Sequence, residues 1–139
     1  MCSKTKLRVG VLASGRGSNL QAIIDASEAG TIEARVAIVI SNVADARALA
    51  LARQHEIEAI CVDPRPHPSN EAFDATVIDL LRKREVDLVC LAGFMRLLSP
   101  HFIREYRYKI MNIHPALLPA FPGLHAQRQA LRYGAKVSG

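Results

Sequence analysis

Tryptophan is absent from the 139 residues, and aromatic residues make up only 5% of them. Side chains on which unpaired bases could stack are therefore scarce, and few interleave with the basic residues, so nucleic-acid binding is disfavoured. Cysteine is sparse as well. Cys2, Cys61 and Cys90 lie far apart, two of them in apolar, strand-like runs. They read as reduced core thiols of a cytoplasmic protein rather than as disulfides or a zinc site, which needs clustered ligands. No apolar run approaches the length of a membrane span, and the opening Met1–Lys6 is polar, so neither a membrane anchor nor a signal peptide is expected. Internal repeats and low-complexity linkers are also lacking.

What is present is an ordinary core-forming composition, half hydrophobic, in a chain long enough for one domain. Short apolar runs at Leu7–Ala13, Ala34–Ile40, Ala59–Val62, Asp87–Ala92 and Lys109–His114 read as strands. Between them, Ser18–Ala29, Ala44–His55 and Glu71–Arg84 have helical character. Leu20, Ile23, Ile24 and Ser27 keep helical spacing in the first, and Phe73, Val77, Leu80 and Leu81 line one side of the third. Ser99-Pro100 opens a fourth helix, with Ser as N-cap and Pro as first residue, and Leu124–Tyr133 forms a last one. Strands alternating with helices imply an α/β fold: one Rossmann-like, open parallel sheet covered by helices on both faces. The net charge is +5, from basic residues scattered over Arg82–Arg84, Arg104–Lys109 and Arg128–Lys136. They suit solvated helix faces or the attraction of an anionic substrate.

Three loops follow strands on one edge of such a sheet. Ser14–Leu20 reads SGRGSNL and runs into a helix, whose free N–H groups and positive dipole end suit a phosphate. It is not a dinucleotide fingerprint. Leu20 occupies the third glycine position, and Ser41-Asn42 stands where an acidic residue should follow the second strand. Nor does a lysine follow the glycines as in a P-loop. What remains is a phosphate cradle of Gly17, Ser18 and Asn19, or a plain tight turn capped by Ser18. Gly93–Pro100 reads GFMRLLSP. Phe94, Met95, Leu97 and Leu98 cannot all be buried behind a strand end, so this loop either walls a pocket for a flat ring or packs under the next helix. In Lys109–His125, Asn112 and His114 point to one face of a strand that Pro115 ends. Ligands in open α/β sheets bind beyond the carboxyl ends of the strands, where this polar pair stands.

The stretches AGFMRLLSP, MNIHPALLPAFPGLHAQRQA and SGRGSNLQAII strongly resemble the phosphoribosylglycinamide formyltransferases of purine synthesis, over Leu7 to Gly139. The resemblance implies the N-terminal part of the formyltransferase fold, as a single domain over 1–139. It implies transfer of a formyl group from 10-formyltetrahydrofolate to the amine of glycinamide ribonucleotide, without a metal. It assigns catalysis to Asn112 and His114, phosphate binding to Gly17, Ser18 and Asn19, and places Gly93 and Pro115 beside the glycinamide. Folate contacts fall on Met95, Arg96, Leu97, Leu98 and Asn112, with Ile103 lining the pterin pocket. The implied partners are the two small molecules, with neither nucleic acid nor membrane, and a homodimer is compatible with it. The chain departs from the family at Ala116, where many relatives have Ser, and at Asn70, where relatives usually have Arg. The family also continues beyond Gly139 with strands, an Asp that tunes the His and a Lys near the phosphate. The expectation is therefore a fragment that is inactive or crippled alone. Methionyl-tRNA formyltransferase, formyltetrahydrofolate hydrolase and a non-catalytic ligand-binding fragment are the alternatives.

Overall fold

The computed structural model describes residues 5–113, 119–137 and 139. Five strands and five helices alternate along it: β1 (Leu7–Ala13), α1 (Ser18–Glu28), β2 (Ala34–Ser41), α2 (Arg47–Gln54), β3 (Glu58–Cys61), α3 (Asn70–Lys83), β4 (Leu88–Leu91), α4 (Pro100–Glu105), β5 (Ile110–Asn112) and α5 (Ala126–Tyr133). All neighbouring strands pair in parallel, in the order β3-β2-β1-β4-β5. The α/β sheet expected from the alternation is thus the sheet observed.

Each face of the sheet carries its own apolar layer. Val9, Val11 and Ala13 of β1 join Leu20 and Ile24 of α1 and Ala48, Leu49 and Ala52 of α2 in one cluster. Leu12 faces the other way, with Ile38 and Ile40 of β2, Val89 of β4, Phe73, Val77, Ile78 and Leu81 of α3 and Phe102 of α4. β2 keeps both sides apolar by a register shift opposite Val9/Gly10, so that Val36 and Val39 serve one face while Ile38 and Ile40 serve the other. A Cβ on Gly10 would lie 2.6 Å from Leu81 Cδ2, so the glycine lets α3 approach β1 closely.

Two helix starts are capped by serine, the one at Ser99-Pro100 as the sequence predicts and the one at Ser69 as a finding of the structure. Ser99 Oγ accepts the Phe102 N–H at 3.2 Å with Pro100 as first helical residue, and Ser69 Oγ accepts the Ala72 N–H at 3.1 Å. Other boundaries move. α2 begins at Arg47 rather than Ala44, because Ser41 Oγ takes the Val43 N–H and Val43 C=O takes the Ala46 N–H, which makes 42–46 a turn. Leu80 is only half-buried on α3, and Asp74 joins the buried stripe instead. β5 pairs over three residues where six were expected, and it forms the sheet edge.

Candidate functional site

The strand order fixes where a ligand should sit. From β1 the chain runs outward through β2 to β3, then returns to place β4 on the opposite side of β1. The carboxyl ends of β1 and β4 therefore flank a switch point, the usual binding crevice of open α/β sheets. A cleft of about 330 Å³ lies there, lined by Ser14, Gly15, Gly17, Ser18, Asn19, Gly93 and Met95, among others.

One wall is the turn into α1. Gly17 occupies the N-cap position with φ 79°, so no side chain caps the helix. Ser18 is the first helical residue, not the cap, which corrects the plain capped-turn expectation. The free N–H groups at this helix start face no acidic residue in the first turn. Arg16 and Arg47 border a second hollow behind the same turn, with Gly17, Ser18 and Gln21. Arg16 belongs to the SGRGSNL loop itself, whereas Arg47 arrives from α2, so spacing along the sequence did not reveal the second guanidinium group. A Cβ at Gly17 would come within 3.1 Å of the Ala48 Cα, and the Ala48 N–H donates to Gly15 C=O at 3.2 Å. The glycine is thus required by the backbone and by α2 packing, not only by the approach of a ligand.

The opposite wall is the loop after β4, whose side chains alternate. Phe94 and Leu98 pack partly against the α3/α4 layer. Met95 and Leu97 stand 70% and 87% exposed. Packing under the next helix thus holds for Phe94 and Leu98, while Met95 lines the cleft and Leu97 stands in solvent. Arg96 turns inward: its guanidinium carbon lies 4.3 Å from the Phe73 ring centroid, and Nη2 donates to Asn70 Oδ1 at 2.9 Å. Asn70, the departure from the resembling family, is therefore the partner of Arg96, and its Nδ2 also donates to Leu97 C=O at 2.9 Å. Farther along, buried Asp74 accepts the Ser99 N–H at 2.6 Å.

Asn19 belongs to the cleft and also to an adjoining apolar groove of about 290 Å³, lined by Ile23, Cys90, Met111 and Asn112 among others. Register places Asn112 beside Leu91 at the carboxyl edge of β5, where its side chain is exposed. Burial pushes the Cys90 thiol up, away from a reactive thiolate. Gly17, Ser18, Asn19, Gly93 and Met95 are thus brought together, with Asn112 on the adjoining groove. Arg96, Leu97, Leu98 and Ile103 do not line the cleft, and Ile103 is half-exposed on α4. His114 and Pro115 lie outside the described residues. Among the described residues, no three His, Cys, Asp or Glu side chains converge to hold a metal ion, and no helix is long and apolar enough to cross a membrane.

The strand order and the cleft define an open, parallel α/β domain whose candidate ligand crevice lies at the switch point between β1 and β4. The chain belongs to the formyl transferase family, whose model matches residues 7–139. It is 47% identical over 133 residues to the phosphoribosylglycinamide formyltransferase of Escherichia coli, covering 96% of this chain and 63% of that protein. It is 49% identical over 141 residues to the trifunctional purine biosynthetic protein adenosine-3 of Drosophila melanogaster, covering 100% of this chain but 10% of that protein. Among solved structures, glycinamide ribonucleotide transformylase 1 from Symbiobacterium toebii superimposes with a TM-score of 0.92 at 52% identity, over 99% of this chain and 65% of that one. The chain thus spans less than two thirds of each of these relatives.

Proposed function

We propose that this chain carries the substrate-binding and formyl-transfer site of a phosphoribosylglycinamide formyltransferase, moving a formyl group from 10-formyltetrahydrofolate to the amine of glycinamide ribonucleotide in the cytoplasm. The observation that carries the reading is the meeting, at one switch point, of an anion-ready helix start and a loop with exposed Met95 and Leu97. The names of the relatives supply the reaction class.

Gly17, Ser18 and Asn19 would receive the ribonucleotide phosphate through N–H groups at the positive end of α1, with Arg16 and Arg47 adding to the local potential. Met95, Arg96, Leu97 and Leu98 would wall the pterin, Arg96 through its backbone since its side chain is engaged by Asn70, with Ile103 beyond them. Gly93 and Pro115 would border the glycinamide. The folate supplies the formyl carbon; the protein supplies position and hydrogen bonds. When the amine adds to that carbon, its oxygen gains negative charge. Asn112 would donate an amide N–H to it, and His114, when protonated, would do the same. An imidazole also titrates near neutrality, so His114 would move the proton from the attacking amine to the leaving nitrogen. The same reading has both substrates as partners and is compatible with a homodimer.

The test is single-turnover formyl transfer in Asn112→Ala and His114→Ala, made in the longest natural form of the chain. Each should lose about 10²–10³ in rate while the fold stays intact, the usual effect of removing one oxyanion donor. Unchanged rates in both would sink the assignment.

A further inference from the structure

The hydroxyl of Ser14 is placed between the two walls of the cleft. Its backbone N–H donates to Gly93 C=O at 3.2 Å, and its Oγ accepts the Met95 N–H at 2.9 Å. These two bonds bracket the turn at Gly93, whose φ is +71°. A hydroxyl has one proton, and with an N–H already pointing at its oxygen that proton must go elsewhere. It goes to Asn42 Oδ1 at 2.6 Å, at the carboxyl end of β2. Ser14 is the one side chain of the 14–19 loop that hydrogen-bonds to the 93–99 loop among the described residues. The α3 side chains that hydrogen-bond to that loop's backbone, Asn70 and Asp74, act at Leu97 and Ser99.

We infer that Ser14, with its hydroxyl oriented by Asn42, is a positioning residue that fixes the spacing between the anion-binding turn and the apolar wall, so that two ligands bound on the two walls meet in reacting register. The inference rests on the formyl-transfer reading for its consequence but not for its geometry. The Gly93 turn sets the direction in which Met95 leaves β4, and Met95 is the large apolar side chain lining the cleft with Gly17–Asn19. Releasing the Met95 N–H frees that wall to shift while leaving each wall's own ligand contacts in place. Small misplacements of reacting groups cost rate far more than affinity. Asn42 stands where a dinucleotide-binding protein would carry its acidic ribose ligand. Here that position serves the neighbouring strand instead.

The experiment compares Ser14→Ala, Ser14→Thr, Asn42→Ala and the Ser14→Ala/Asn42→Ala double variant with the unsubstituted protein. Calorimetry with ribose 5-phosphate and with 5-formyltetrahydrofolate should give dissociation constants within about threefold of the original in every variant. Turnover in Ser14→Ala should fall about 10- to 100-fold, and Ser14→Thr, which keeps the hydroxyl, should recover most of it. The double variant should be no slower than Ser14→Ala, because Asn42 acts only through the serine. A loss confined to the affinities, an unchanged turnover in Ser14→Ala, or additive losses in the double variant would overturn the inference. Should Ser14→Ala fail to fold, Asn42→Ala carries the same comparison with the serine in place. If the unsubstituted protein transfers no formyl group, turnover offers no comparison, and amide exchange at Met95 decides the present point alone. Exchange should speed up about 10-fold or more in both Ser14→Ala and Asn42→Ala; no acceleration refutes the pin.

Discussion

The two loops that meet at the switch point are held in opposite ways. The turn into α1 is fixed from within its own backbone: Gly17 takes φ 79°, Gly15 C=O is bonded to α2, and the side chains of Arg16, Ser18 and Asn19 are left exposed. The loop after β4 is fixed from outside, by three side chains from two other segments, the loop after β1 and α3, on three backbone groups two residues apart. Ser14 takes the Met95 N–H, Asn70 binds Leu97 C=O, and Asp74 takes the Ser99 N–H. On the function proposed above, the difference follows from what each loop would hold. An anion is bound by N–H groups, so that backbone must be kept free and bent into place by glycine. A ring is bound by apolar surface, so that backbone can be used up in hydrogen bonds while Met95 and Leu97 are held out in water.

Breaking the first loop should have the largest effect. Gly17→Val puts a β-branched residue in the left-handed region and its Cβ against the Ala48 backbone, at 3.1 Å from Cα. Strain and overpacking together should cost about 3 kcal/mol. Denaturant unfolding checks this, and Gly17→Ala, which adds the same Cβ without its branches, should lose less, roughly 1–2 kcal/mol. Equal stability of Gly17→Val and the unsubstituted protein would mean that α2 yields freely and the loop is not fixed by its own geometry.

The second loop should break more gently, and most at its buried end. Asp74→Ala leaves the Ser99 N–H without its acceptor in a site where both residues are buried. The unpaired donor should cost about 1–3 kcal/mol. Asp74→Asn keeps a carbonyl oxygen for that N–H and should recover most of the loss in the same measurement. If Asp74→Asn is as unstable as Asp74→Ala, the charge rather than the acceptor holds this end.

The sequence read the two loops unequally for the same reason that they are built unequally. The strand–helix alternation, the Ser99-Pro100 start and the glycine turn into α1 are local patterns, spanning a few residues, and the structure follows them. The pins on the second loop join residues 81, 27 and 25 positions apart, and no periodicity reports them. Faint signals existed. Asp74 is a carboxylate set in the apolar stripe of α3 next to Phe73, and Ser41-Asn42 is polar where an open sheet should present a ligand residue. The edge strand was overestimated because apolar alternation continues past Asn112 through Ile113, whereas ladder pairing stops at Asn112. For Asn112 and His114 the sequence offered a shared face. The structure locates Asn112 at the edge of the groove, and His114 falls outside the described residues.

The smallest effect should come from Asn70, and it separates stability from shape. Its two hydrogen bonds, to Leu97 C=O and from Arg96 Nη2, are both exposed. Water can replace each of them, so Asn70→Ala should lose only about 0.5 kcal/mol, near the bottom of the range for an intramolecular hydrogen bond. That corresponds to roughly 2 °C in the melting temperature of a domain this size. Arg96 keeps its seat over Phe73, worth about 0.5–1 kcal/mol at a partly exposed site. The loop as a whole therefore stays, tied by Ser14 at one end and Asp74 at the other. Its middle does not: with Leu97 C=O released, the exposed Leu97 side chain gains freedom that a ring ligand must remove on binding. The affinity for 5-formyltetrahydrofolate should fall about threefold, while that for ribose 5-phosphate stays unchanged, since Asn70 touches nothing in the α1 turn. A drop in both affinities would show that the two loops respond as one body. A drop in neither would show that the two end pins alone shape the wall.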